Sequence, residues 1–256
     1  MSLFSRFRRP VAERVARTAL IPPGIRVYAI GDIHGRNDLF ADLLDKIEAD
    51  HASRSPAKSV LILLGDLVDR GPNSREVVER AMASRDRFDE VRCLIGNHEE
   101  CFLEALTGDV QRVRYFSRIG GDATIRSYWR DEDSYNEASY EDVAEKLPQI
   151  VPQSHTDFLR SGEDMIRLGG YVFVHAGVRP GISLDDQRKK DLRWIREEFL
   201  ASDDDFGAIV VHGHSISKAV EIKDNRIGID TGAYCYDTLT AICLESDRRM
   251  ILQSYC

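Results

Sequence analysis

The first hundred residues repeat one pattern, in which a short apolar run stops at a glycine followed at once by an acid or an amide. The runs at 26–30 and 60–64 end at Gly-Asp, and the run at 91–95 ends at Gly-Asn. Such short runs, partly β-branched, are typical of buried strands, and apolar residues recur at helical spacing over 39–47. The alternation predicts parallel strands whose carboxyl ends meet at one sheet edge, where open α/β sheets bind ligands.

The rest of the chain extends this α/β prediction. A helix is expected after the second strand, with Asn73 as its cap and Glu76 completing a capping box. The segment 107–164 is polar, rich in tyrosine and acids, and predicts helices and loops beside the cleft, with its aromatic rings used for packing. Further apolar runs at 171–174, 208–211, 227–229, 239–244 and 250–252 predict a second sheet packed on the first.

Five short segments concentrate the side chains that carry chemistry. They are Gly31-Asp32-Ile33-His34-Gly35, Gly65-Asp66-Leu67-Val68-Asp69-Arg70-Gly71, Gly96-Asn97-His98-Glu99, His175-Ala176-Gly177 and His212-Gly213-His214-Ser215. Their oxygen and imidazole donors, without a competing thiolate, suit two hard-to-borderline divalent metals. The first segment alone is explained equally well by Asp32 capping a helix and His34 lying at the surface. The other four segments favour a metal cleft, and therefore a hydrolase acting on phosphate.

In their order and composition, the five segments resemble the phosphoprotein phosphatase family of binuclear metallophosphoesterases, and in particular its bacterial and phage serine/threonine protein phosphatase branch. The resemblance runs from about residue 27 to 244 and is specific, because every signature occurs in family order. It implies a β-sandwich of two mixed sheets flanked by helices, with the dimetal site at a sheet edge. This agrees with the two sheets predicted from the apolar runs.

The resemblance also assigns roles to individual residues. The implied metal ligands are Asp32 and His34 for the first ion, Asp66 as the bridging carboxylate, and Asn97, His175 and His214 for the second. His212 is not a ligand in the family, so we expect it to be structural. The ligand set accepts manganese, iron or zinc, and manganese is the expected metal in vitro.

The implied chemistry is hydrolysis without a protein nucleophile. Two ions about 3.5 to 4 Å apart lower the pKa of a shared water toward about 7, which makes hydroxide available. The resemblance assigns His98 as the general acid, oriented by Asp69, and Arg70 as a phosphate ligand. Arg196 is the second phosphate-binding candidate, because 192–198 resembles a Trp-x-Arg segment, and Arg193 is expected on a solvated helix face.

Two bacterial branches of the family compete for the substrate. Symmetrical diadenosine tetraphosphate hydrolases commonly have alanine and aspartate where this chain has Asp69 and Glu99, which favours a protein phosphatase acting on Ser, Thr or Tyr phosphates. The segment 119–124 also resembles the protein phosphatase branch, although Ile119 stands where that branch often has Asn. The dinucleotide hydrolase and a small-molecule phosphoesterase stay open. A non-catalytic binding module is disfavoured because no ligand and no acid is missing.

The amino-acid composition limits the possible partners and the cellular compartment of the protein. A net charge of −8 argues against nucleic-acid binding. The five cysteines are odd in number and unpaired in spacing, which fits a reducing cytoplasm, and we expect Cys235 to be a packed, inert thiol rather than a redox-sensitive one. No apolar run is long enough to cross a membrane, so a soluble, cytoplasmic protein is expected. Residues 1–24 are expected to be a mobile basic tail of unknown partner, and 25–256 a single catalytic domain.

Overall fold

A computed structural model describes residues 19–255, which contain ten β-strands in two five-stranded sheets. The strands are β1 (Ile25–Ile30), β2 (Lys58–Leu63), β3 (Glu90–Cys93), β4 (Ile166–Leu168), β5 (Tyr171–Phe173), β6 (Ile209–His212), β7 (Glu221–Ile222), β8 (Arg226–Gly228), β9 (Thr238–Glu245) and β10 (Arg248–Tyr255). The strand order is β10-β9-β1-β2-β3 in the first sheet and β4-β5-β6-β8-β7 in the second. Both sheets mix parallel and antiparallel pairs.

The parallel pairing of β1, β2 and β3 confirms the arrangement predicted from the Gly-Asp pattern. The prediction that all later strands belong to the second sheet is wrong for β9 and β10. Strand β9 pairs antiparallel with β1, with Ile30 opposite Ala241, and β10 pairs with β9. Both strands therefore extend the first sheet, because β1 has an open edge on the side away from β2.

Eleven α-helices between residues 19 and 255 flank the sheets and fill the segment from 97 to 160. They are α1 (Asn37–Ala52), α2 (Ser74–Ala83), α3 (Asn97–Ala105), α4 (Val110–Phe116), α5 (Asp122–Trp129), α6 (Glu132–Glu137), α7 (Tyr140–Ile150), α8 (Gln153–Arg160), α9 (Lys189–Trp194), α10 (Glu197–Leu200) and α11 (Ala233–Tyr236). A π-helical turn, Ser117–Gly121, joins α4 to α5. No helix between 19 and 255 is long and apolar enough to span a membrane.

The predicted capping box of α2 is not formed. Asn73 does occupy the N-cap position, but its side chain makes no capping hydrogen bond. Its backbone amide instead donates to the carbonyl oxygen of Gly35, which ties the start of α2 to the loop after β1. The tertiary contact therefore replaces the local motif at this helix end.

Alternate residues of β1 face two different cores. Tyr28 and Ile30 pack with the helices on the outer side of the first sheet, whereas Val27 and Ala29 pack against the second sheet. Successive strand side chains point to opposite faces, so each central strand is buried on both sides. This burial explains the continuous apolar runs and holds the strand ends rigidly at one edge.

The predicted N-terminal tail falls mostly on residues 1–18, which lie outside the described part of the chain. Residues 19–24 are described, and Ala19 and Ile21 are buried in the core between the sheets. The amide of Ile21 donates to the carbonyl oxygen of Ser246 at 2.9 Å. Within the described residues, Ala19 and Ile21 therefore belong to the packed core rather than to a mobile tail.

Candidate active site

The predicted ligand residues converge because each stands just beyond a strand that ends at the same edge. Five of the site residues adopt left-handed backbone conformations that non-glycine residues rarely occupy. They are His34, Asp66, Asp69, Arg70 and His214, with φ between 48° and 75°. Such strained conformations cluster at functional sites, where surrounding structure holds them in place. In this protein, these conformations turn side chains that follow different strands toward one cleft.

The cleft has a volume of about 260 Å³. Its lining is almost entirely polar and combines predicted ligands, predicted phosphate-binding arginines and residues that the sequence analysis did not single out. The lining residues are Asp32, His34, Asp66, Arg70, His98, Arg196, His214, Ile216, Asp230 and Tyr234. The donor atoms of His34, Asp66 and His98 lie within 4.8 Å of one another, and so do those of Asp66, His175 and His214. Asp66 is shared by both groups, the position expected of a bridging carboxylate.

Three electron-pair donors meet at His175, and one of them, Asp66, lines the cleft. Nε2 of His175 lies 3.0 Å from Oδ1 of Asn97 and 3.3 Å from Oδ2 of Asp66. Nδ1 of His175 faces the carbonyl oxygen of Leu64 at 2.8 Å, so it carries the hydrogen and a neutral ring has a lone pair on Nε2. Burial alone would lower the pKa of His175, but the Asp66 carboxylate raises it. The three donor atoms would repel one another, so a positive charge, from a proton or a metal ion, is needed among them.

Two further imidazoles present free nitrogen atoms to the cleft. Nε2 of His214 is buried and has no hydrogen-bond partner among the described residues. Nδ1 of His34 faces the carbonyl oxygen of Val68 at 2.8 Å, which leaves its Nε2 for the cleft, 3.6 Å from Oδ2 of Asp66. Burial lowers the pKa of His34 to about 3 and that of His214 to about 2. Both rings are therefore neutral at ordinary pH, the form that binds metal.

The shared carboxylate stays ionised in this setting. Burial would raise the pKa of Asp66, but His175 and His98 hold it well below its usual range. A buried carboxylate beside the neutral imidazoles of His34 and His214 and the amide oxygen of Asn97 is a donor set for hard-to-borderline divalent ions. The residues present therefore fit a dimetal centre.

Asp32 lies in the cleft wall but outside the two tight donor groups. Its carboxylate accepts a hydrogen bond from the backbone amide of His214 at 3.0 Å. A side chain at Gly213 would place a Cβ 2.0 Å from Oδ1 of Asp32, so glycine is required for this approach. Burial raises the pKa of Asp32, and the neighbouring carboxylate of Asp230 adds to the effect.

Asp230 is a site residue that the sequence analysis missed. It is 3% exposed, and its Oδ2 has no partner among the described residues. The available signal was its position directly after the apolar run at 227–229, which repeats the strand-then-acid pattern of Asp32 and Asp66.

His98 and Asp69, which were predicted to handle the proton, are in direct contact. Nδ1 of His98 lies 2.6 Å from Oδ2 of Asp69, and both side chains are buried. The hydroxyl of Thr124 donates to Oδ1 of Asp69 at 2.6 Å, and the Asp69 amide donates to Oγ of Ser74 at 3.0 Å. Asp69 is thus fixed from several sides, and Nε2 of His98 faces the cleft, 4.0 Å from Asp66.

The structure places both predicted phosphate-binding arginines on the cleft. The backbone of Arg70 donates to the carbonyl oxygen of Gly120 at 3.0 Å, and a Cβ at Gly120 would lie 2.6 Å from Cδ of Arg70. Gly120, with φ of 117°, thus leaves the space that the Arg70 side chain occupies. The Arg70 guanidinium lies 5.3 Å from the ring centroid of Tyr234. Arg196 donates to the carbonyl oxygen of His214 at 3.1 Å.

The prediction that Arg193 lies on a solvated helix face is wrong. Arg193 is 9% exposed, and its guanidinium donates to Asp164 at 2.8 Å and to Glu100 at 2.8 Å. The indole of Trp194 donates to the other Glu100 oxygen at 2.6 Å. Acidic side chains from distant parts of the chain therefore hold Arg193 in a buried position. Through these contacts Glu100 also connects α3 to the segment that carries Arg196.

His212 and Glu99 have structural surroundings, whereas Cys235 lies at the surface. His212 is buried with its ring against Phe199, outside both donor groups. Glu99 accepts hydrogen bonds from the amides of Asp66, Leu67 and Gly96, and so shapes the loop of the bridging carboxylate. Cys235 is exposed rather than packed as expected, although burial of part of the residue raises the pKa of its thiol.

Comparison with known proteins assigns the family. The calcineurin-like phosphoesterase family model matches residues 25–245. A symmetrical bis(5′-nucleosyl)-tetraphosphatase of Delftia acidovorans is 40% identical over 198 residues, 77% of this chain and 54% of that protein. The chain thus spans about half the length of the symmetrical enzymes it matches. An asymmetrical bis(5′-nucleosyl)-tetraphosphatase of Bacillus subtilis is 30% identical over 229 residues, 82% of this chain and 87% of that protein.

Solved structures support the fold. A candidate diadenosine tetraphosphatase superposes with a TM-score of 0.63 at 19% identity, covering 93% of this chain and 99% of that chain. A cold-active protein tyrosine phosphatase of Shewanella superposes with a TM-score of 0.55 at 17% identity, covering 92% and 83%. The two mixed sheets flanked by helices are therefore the metallophosphoesterase fold. The chain belongs to the calcineurin-like phosphoesterase family.

Proposed function

We propose that this chain hydrolyses the phosphoanhydride bonds of dinucleoside tetraphosphates. The observation that carries the proposal is the pair of guanidinium groups, Arg70 and Arg196, on one small cleft beside the two donor groups. Two fixed cations suit a substrate with several adjacent phosphates, since each guanidinium can bind phosphoryl oxygens through two hydrogen bonds. The names of the relatives support the same substrate class.

The donor set would hold two divalent ions, with His34 and Asp32 toward one, Asn97, His175 and His214 toward the other, and Asp66 shared. When bound, such a pair supplies a hydroxide nucleophile at neutral pH and neutralises charge on the phosphoryl group. Manganese, iron and zinc all suit these ligands.

The chain's own residues would then orient the substrate and move one proton. Arg70 and Arg196 bind the oxygens of the phosphoryl group and stabilise the charge that spreads over them in the transition state. His98, protonated at Nε2, donates to the oxygen of the leaving group, while Asp69 fixes the ring through Nδ1.

A second candidate is a protein phosphatase, and one observation favours it. The His98–Asp69 pair is buried, and the hydroxyl of Thr124 donates a hydrogen bond to Asp69. This arrangement suits acid catalysis. Such an acid helps most when the leaving group is a strongly basic alkoxide, as in serine or threonine phosphate. A nucleotide phosphate is a weakly basic leaving group and depends less on a proton donor.

Product analysis distinguishes the candidates. The purified, manganese-loaded protein is given diadenosine tetraphosphate in one assay and a phosphoserine peptide in another, and kcat/KM is compared. We expect higher kcat/KM for the dinucleotide, with ATP and AMP as products of asymmetrical cleavage or two ADP of symmetrical cleavage. A strong preference for the phosphopeptide would overturn the proposal in favour of the second candidate.

A further inference from the structure

An exposed aromatic side chain borders the cleft. Tyr236 is 48% exposed and Ile216 is 40% exposed. Both approach one point above Gly232, because a Cβ built there would lie 2.7 Å from Cδ2 of Tyr236 and 3.1 Å from Cγ2 of Ile216. Ile216 also lines the cleft itself. Tyr236 and Ile216, here called the Tyr236 rim, therefore form an apolar surface continuous with the catalytic cleft.

The backbone around Tyr236 is firmly held. Its amide donates to the carbonyl oxygen of Gly232 at 2.7 Å, and its carbonyl oxygen accepts from the hydroxyl of Thr238 at 3.1 Å. The guanidinium of Arg36 donates to the carbonyl oxygen of Ala233 at 2.7 Å, which anchors α11. An aromatic side chain on an ordered backbone loses little conformational entropy when it binds a ligand.

Cationic side chains lie close to the Tyr236 rim. Nζ of Lys218 lies 5.6 Å from the ring centroid of Tyr236, and Arg70 and Arg196 line the adjoining cleft. Cations beside an exposed ring suit a ligand that joins a polyanionic chain to a flat base. A phosphopeptide carries one phosphate and no obligatory ring, so it would leave part of this arrangement unused.

We propose that the Tyr236 rim binds one nucleobase of a dinucleoside polyphosphate whose phosphates occupy the adjacent cleft. The inference rests on the proposed function and names the surface that would make a nucleotide a better ligand than a bare polyphosphate. Stacking on an aromatic ring tolerates any base, so the rim would accept adenine and guanine alike.

Binding measured without turnover tests the inference. Isothermal titration calorimetry on the manganese-loaded protein gives Kd for the methylene-bridged analogue of diadenosine tetraphosphate, which resists hydrolysis. Methylenediphosphonate serves as the probe without a nucleoside. Tyr236→Ala should raise Kd for the dinucleotide analogue about tenfold or more, while Tyr236→Phe keeps it within about twofold of the parent value. The Kd of methylenediphosphonate should stay the same in both variants.

Tyr115 provides the matched control, because it is equally exposed, at 48%, but lies on α4, which contributes no residue to the cleft lining, whereas α11 contributes Tyr234. Tyr115→Ala should leave both Kd values unchanged. An unchanged Kd for the dinucleotide analogue in Tyr236→Ala would overturn the inference. Equal weakening of both probes would overturn it as well. If the analogue binds through Tyr236 but diadenosine tetraphosphate is not hydrolysed, the proposed function fails and the base-binding surface stands.

Discussion

Nδ1 of His98 lies 2.6 Å from Oδ2 of Asp69, in a place where both side chains are at most 5% exposed. Burial alone would lower the pKa of His98, but the carboxylates of Asp66 and Asp69 outweigh it and raise the pKa. The imidazolium, which is the proton-donating form, is therefore kept to a higher pH than for an ordinary histidine.

Asp69→Asn should weaken acid catalysis and move its pH dependence. Loss of the carboxylate removes a negative charge that raises the pKa of His98, so the ring loses its proton at a lower pH. We expect the basic limb of the kcat profile for an alkyl phosphate to shift to lower pH, with kcat down about a hundredfold. Metal content measured alongside should be unchanged. A basic limb that stays in place or moves upward would rule out the assigned role of Asp69.

Glu100→Ala should weaken phosphate binding through the position of Arg196. Glu100 accepts from both Arg193 and Trp194, and so fixes the segment that ends at Arg196. We expect KM to rise about tenfold and kcat to fall as well, because Arg196 binds the phosphoryl oxygens in the substrate and in the transition state, and Glu100→Gln to restore part of the loss. Steady-state kinetics on one phosphomonoester checks this.

Glu104→Ala is the matched control, because Glu104 lies on the same helix α3 but pairs with the exposed Arg112. Its KM should equal that of the parent protein. If Glu100→Ala lowers only thermal stability and leaves KM unchanged, the contact is structural alone.

Gly120→Ala should displace Arg70. The backbone at Gly120 has φ of 117°, and the added Cβ would meet Cδ of Arg70 at 2.6 Å. We expect a loss of about 1 to 3 kcal/mol in the free energy of unfolding from the strained backbone, together with a higher KM for phosphate esters. Denaturant unfolding and steady-state kinetics measure the two effects.

Gly181→Ala tests the effect of backbone strain without displacement of a neighbouring side chain. Gly181 also has positive φ, at 74°, but a Cβ there meets nothing within 4 Å. This variant should lose stability without any change in KM. A rise of KM in both variants would indicate that general destabilisation, not the contact with Arg70, affects binding.

The sequence predicted which candidate ligand residues lie together, because each follows a strand, and strand ends are determined by local hydrophobic patterning. Asp32, Asp66 and Asn97 meet at one edge for this reason. Asp230 also follows an apolar run, 227–229, but it was missed because no glycine separates that run from the acid, as Gly31 and Gly65 do before Asp32 and Asp66.

Features that depend on distant partners were not predictable in the same way. Arg193 belongs to a short helix with polar neighbours, and only the fold brings Glu100 and Asp164 to it. The contact between Thr124 and Asp69 likewise joins residues 55 positions apart. The apolar patterns of β9 and β1 likewise do not specify that these two strands pair with each other.

Metal stoichiometry tests the central claim most directly. The purified protein is saturated with manganese, freed of excess ion, and its metal content is measured by inductively coupled plasma mass spectrometry beside two variants. We predict two ions per chain for the parent protein and for Asp122→Asn, whose carboxylate lies outside both donor groups. Asp66→Asn, which removes the carboxylate that both groups share, should retain fewer than one. A parent protein that binds no more than one ion, or an Asp66→Asn variant that keeps both, would contradict a dimetal centre bridged by Asp66.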